Sequence, residues 1–224
     1  MTGGDDLTRR TGRGHGPPTG GATRSTEATS GPAASYAARR RVSLPVGTWG
    51  VILLVATEAA FFGTLIASYL YLRLKVSQWP PAGVEPPDLT APLILTGVLV
   101  ATTLPILLAV RAARVGRVRP AWLLLLGAML VQAAYLGVQI HLFGSDLDKF
   151  QPTDNAYGSV YFTMLFAHHV HVLVGILMIG WLLARLIGGL TNYRLVAVQV
   201  VAIYWYFVNA VAVAITLTQV SPSL

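Results

Sequence analysis

Two things are scarce in this chain: none of its 224 residues is cysteine, and only 11% are Asp, Glu, Lys or Arg. The first absence excludes disulfides, thiolate-bound metals and any copper centre built on paired thiolates. The second, together with 54% hydrophobic residues and a mean hydropathy of +0.61, excludes an ordinary water-soluble domain and marks an integral membrane protein. Familiar catalytic signatures are missing as well. The chain has no Gly-x-x-x-x-Gly-Lys-Ser/Thr loop, no Gly-x-Ser-x-Gly elbow and no His-Glu-x-x-His helix.

The charge that is present is unevenly placed. Ten of the 25 charged residues, seven Arg with Asp5, Asp6 and Glu27, precede residue 45. Residues 1–44 are rich in Gly, Thr, Ser, Ala and Arg without apolar periodicity, so they cannot bury enough surface to offset the entropy of ordering. We expect a disordered, basic, cytoplasmic tail. Arg9-Arg10 is not followed at the usual distance by an apolar stretch, which speaks against a secretory or twin-arginine signal.

Residues 45–224 predict an all-α domain, a bundle of five transmembrane helices. Its apolar segments run over about residues 47–71, 91–110, 121–143, 158–186 and 194–218, each long enough to cross roughly 30 Å of hydrocarbon. Pro105 should kink the second, and the proline-rich loop "SQWPPAGVEPPDLTAP" should be ordered but non-helical. Five spans put the tail, the second loop and the fourth loop on one side, with thirteen Arg. The other side has only Arg73, Lys75 and Lys149. By the positive-inside rule the amino terminus is cytoplasmic and the carboxyl terminus outside. The +7 formal charge thus reports membrane topology, and no nucleic-acid partner is expected.

Polar side chains inside these spans are the candidate functional residues. Glu58 interrupts the apolar stripe of Val51, Leu54, Phe61, Phe62 and Leu65, and a charge at the bilayer centre costs about 2.5–3.5 kcal/mol on insertion scales. It is therefore a protonated carboxyl bonded to a neighbouring helix, a proton relay or a lipid-binding carboxylate. In "FAHHVHVLVG" His168 and His171 lie three residues apart on one helix face, with His169 turned away. Two histidines on one helix pack between helices more often than they hold a metal. Gln132 and Gln139 share a face of the third span, and His141 lies near its outer end. Gln199, Tyr204, Trp205, Tyr206 and Asn209 crowd the fifth span. Four of the five histidines lie in the membrane region, on two helices, which is a poor basis for a self-contained redox enzyme.

Three of these stretches, in order and with matching spacing over about residues 45–218, resemble subunit III of the haem-copper oxidases, the cytochrome c and quinol oxidase group. "TEAAFFGTLIASYLYLR" followed by "WPP" is similar to that family's Ser/Thr-Glu-x-x-Phe-Phe helix and its Trp-Pro loop, where Trp79 falls. "AHHVHVLVG" is similar to its His-x-x-His-Val-x-x-Gly element, at His168, His171, Val172 and Gly175. "YWYFVN" stands in the place of its Tyr-Trp-His-Phe-Val-Asp, with Tyr206 for the usual His and Asn209 for the usual Asp.

The resemblance implies a five-span subunit lacking catalytic or metal-binding residues of its own, with haem and copper in partner subunits. It further implies packing against catalytic subunit I alongside subunit II, with bound phospholipid, in a bacterial plasma membrane. Glu58, His168 and His171 would be the lipid- and proton-linked residues. In this family the subunit supports complex stability and proton uptake during electron transfer to oxygen. Two helices that precede the Glu-bearing one in seven-span relatives are lacking, and an extended subunit I would supply them. Other readings are the equivalent subunit of a quinol oxidase or nitric oxide reductase, and a small proton-coupled transporter using Glu58 and the histidines.

Overall fold

The structure, a computed structural model, describes residues 45–75, Trp79 and 90–220. The basic tail expected over residues 1–44 lies outside these residues, as does most of the proline-rich loop.

Among the described residues six helices form five segments long and apolar enough to cross a membrane: α1 Val46–Lys75, α2 Thr90–Ala101, α3 Thr103–Arg114, α4 Val118–Lys149, α5 Ala156–Leu186 and α6 Asn192–Val220. There is no strand among the described residues. The helices run a few residues past the apolar segments, most clearly at the end of α4. Hydropathy marks the hydrocarbon, whereas a helix that has satisfied its own backbone continues through the interface. Thr90, read from sequence as loop, joins Ala91 and Pro92 at the start of the second apolar segment in the first turn of α2, where proline's missing N–H costs nothing.

The second crossing is broken between α2 and α3, at Thr102. Pro105 accounts for it, because its ring clashes with the carbonyl four residues back, that of Ala101. Side chains fill in around the break. Thr102 donates its hydroxyl to Leu99 O at 2.6 Å, and Gln132 Nε2 donates to the Thr102 hydroxyl at 3.1 Å. Asn209 Nδ2 donates to the Thr103 hydroxyl at 2.8 Å.

Local stop and start signals are well formed. Gly116, at φ 75°, ends α3 with Arg117 N bonded to Ala112 O and Gly116 N to Ala113 O, the paired bonds of a glycine-terminated helix. Asn155 caps α5 by accepting from Gly158 N at 2.8 Å. At Gly158 a Cβ would stand 2.7 Å from Gln151 O, so only glycine lets the incoming loop pass this close.

Helix α6 is the hub, touching α1, α2, α3 and α5, while α4 joins α2, α3 and α5. Helix α1 sits at the edge, against α5 and α6 alone. The main core gathers Leu99, Ile106, Leu125, Val172, Ile179, Leu182, Val198 and Trp205. A smaller aromatic cluster of Tyr69, Tyr157, Tyr161 and Phe162 closes the end where α1 and α4 finish and α5 begins.

Candidate functional site

Glu58, on α1, meets His171, on α5, with Oε2 3.0 Å from Nε2. The other ring nitrogen fixes the proton count. His171 Nδ1 lies 2.7 Å from Ala167 O, and a carbonyl only accepts, so Nδ1 carries a hydrogen. A single proton then lies between Nε2 and Oε2, and the pair is neutral overall whichever atom holds it. An acid that would be expensive alone in hydrocarbon is matched by a base on the next helix. Its side chain remains 29% exposed and that of His171 17%, so the pair lies on the flank of the bundle and not in its core.

Apolar and aromatic groups frame it. Phe62 packs edge-on to the His171 ring, with centroids 5.1 Å apart. It also meets Phe61 and Phe207. The rotation of α5 that presents His171 is set one turn further on, where the Trp205 indole lies so close to Gly175 that a Cβ there would stand 2.6 Å from the ring. Trp205 Nε1 donates to Gly175 O at 3.3 Å, and Tyr204 donates its hydroxyl to His171 O at 3.0 Å. The "HVLVG" and "YW" stretches thus form one interlocked contact.

His168 does not join Glu58. It is buried toward α4, with Nε2 3.4 Å from the Tyr135 hydroxyl, which also accepts from Gln139 Nε2 at 3.0 Å. The i, i+3 spacing places His168 and His171 on adjoining strips that serve different neighbours. His169 packs edge-on to Phe143 at 5.7 Å, and His141 is exposed. Among the described residues no three or more His, Asp or Glu side chains gather in a metal-holding group.

The remaining polar and aromatic candidates have structural partners. Trp79 donates its indole N–H to the Tyr69 hydroxyl at 3.1 Å and packs edge-on to Tyr157. Gln132 and Asn209 bond the two threonines at the break in the second crossing. Tyr206 packs half-buried against the main core. Sequence reasoning missed Tyr135, Thr102 and Thr103. Tyr135 could have been found, since it lies three residues after Gln132 and four before Gln139 on their shared face.

Comparison with known proteins adds a family and relatives. The family model described as Cytochrome c oxidase subunit III matches residues 34–219. A cytochrome c oxidase subunit 3 of Thermostichus vulcanus is 30% identical over 169 residues, 72% of this chain and 80% of that one. A probable cytochrome c oxidase subunit 3 of Nocardia farcinica is 31% identical over 179 residues, covering 75% and 84%. The Neurospora crassa cytochrome c oxidase subunit 3 is 27% identical over 169 residues, and the chain spans only 62% of its length.

Proposed function

The chain belongs to the cytochrome c oxidase subunit III family, and from that premise we propose that it is the non-catalytic third subunit of a bacterial respiratory terminal oxidase. It packs against subunit I, which with subunit II holds the haem and copper, and it sustains proton uptake and turnover stability in the assembly. Bound phospholipid lies along the flank that carries the Glu58–His171 pair.

The observation that carries this reading is that pair, neutral through one shared proton and set at the bundle's surface among Phe61, Phe62 and Leu54. A net-neutral pair is compatible with an acyl chain or a partner helix beside it, where a lone carboxylate would not be. The thirteen-to-three division of basic residues supports a cytoplasmic amino terminus and an external carboxyl terminus. Reporter fusions that placed both ends in one compartment would remove that orientation.

The decisive experiment is Glu58→Gln in the intact oxidase. A glutamine amide can still donate to His171 Nε2, so the complex should assemble and retain its haems. Native mass spectrometry should then show fewer retained phospholipids, and oxygen consumption should decay faster during turnover. Unchanged lipid content together with unchanged decay would defeat the assignment of this pair.

A further inference from the structure

The aromatic end of the bundle holds a second polar region, separate from Glu58. A cavity of about 190 Å³ runs between α2, α4, α5 and α6. At its mouth are Lys149, whose side chain is 63% exposed, and Asp146, which Lys149 approaches to 3.5 Å and to which Tyr161 donates at 2.9 Å. Further in, its walls carry Gln139, the Thr96–Thr216 pair at 2.6 Å, Tyr135 and His168. Counted from the ends of the apolar segments, residues 143 and 158, Gln139 lies four residues, about 6 Å, and His168 ten residues, about 15 Å, into the hydrocarbon. His168 thus stands about halfway through it.

A void this size lined by Leu, Ile and Phe would stay dry, but polar walls hold water, each molecule needing two to four partners. Those partners are present here. Beyond His168 the way is closed by Leu99, Ile106, Leu125, Val172, Ile179 and Trp205, all 0–1% exposed. We propose that this cavity is a water-filled, dead-ended inlet, open where α4 ends and α5 begins, that brings water from one side of the membrane to the Gln139–Tyr135–His168 group. The titratable groups that line it are Asp146, Lys149, Tyr135, Tyr161, His168 and His169, from α4 and α5. Helices α2 and α6 contribute Thr96, Thr216 and Gln219, which do not titrate. Which aqueous phase fills the inlet rests on the orientation proposed above, and on that reading it is the outer one.

The absence of cysteine makes the test clean. In the intact oxidase in right-side-out vesicles, Ser145→Cys at the mouth, Gln139→Cys and Thr216→Cys inside, and Val138→Cys on the apolar outer surface of the bundle, away from the cavity, are exposed to an impermeant cationic methanethiosulfonate. Free thiols are then counted in the separated subunit. Because only a hydrated thiolate reacts, Gln139→Cys should react within about tenfold of Ser145→Cys and at least about a hundredfold faster than Val138→Cys. Thr216→Cys, nearly isosteric, should repeat the result if Gln139→Cys assembles poorly. Protection of both inner thiols while Ser145→Cys reacts would overturn the inlet. Reaction of the same positions only in inside-out vesicles would keep the inlet and overturn the membrane orientation.

Discussion

Helices α1 and α6 are of similar length and hydropathy, yet 56% of the most apolar stretch of α6 is buried and only 11% of that of α1. Helix α6 is held by shape. Trp205 is completely enclosed, and Val198, Val201, Ala202, Val208 and Ala212 follow it into the core. Helix α1 is held by a few pins, namely Val51, Phe62, the Glu58–His171 pair, and Tyr69 with Trp79. In hydrocarbon the exposure of apolar side chains carries no penalty, so a helix can remain at the edge of a bundle with most of its surface turned to lipid or to another subunit. The polar pins then weigh more on α1 than on α6, because there is little packing to replace them.

The sharpest way to break the comparison is Trp205→Ala. It should cost on the order of 3–5 kcal/mol as a cavity opens against Gly175, and heating the solubilised oxidase should release this subunit first. An unchanged release temperature would show that α6 is not the hub. Next, Glu58→Lys replaces a matched acid with a cation facing imidazole, and its cost, about 2.5–3.5 kcal/mol, should appear as loss of α1 docking. Protease sensitivity around α1 should rise, with the contacts of α5 to α4 and to α6 kept. A smaller effect is expected from Trp79→Phe, which keeps the ring contacts but loses the bond to Tyr69, about 0.5–1.5 kcal/mol, readable as a lower unfolding temperature. Smallest is Asn209→Leu, about 0.6 kcal/mol, the average of hydrogen bonds between membrane helices. A loss several times larger would mean that the break in the second crossing depends on this amide.

Asn209 also gives meaning to the departure from the family pattern. As an amide it donates to Thr103 without a change of charge; an ionised aspartate in its place would have to accept from that hydroxyl, reversing the bond. What Tyr206 gains from replacing the usual histidine is not explained by its contacts.

Much of this protein was legible in the order of its residues. Five crossings follow from runs of apolar side chains long enough for the bilayer, and the break before Pro105 from one ring that cannot tolerate the carbonyl four residues back. These are local consequences of backbone chemistry. The partner of Glu58 was not legible. It lies 113 residues away, and His168, His169 and His171 offer the same chemistry within a single turn. Choosing among them required the rotation of α5, and that rotation is set where Gly175 admits the indole of Trp205. A contact between two helices therefore decided which imidazole turns to the acid on a third, because helix packing, unlike helix length, depends on surfaces that meet only in the folded bundle.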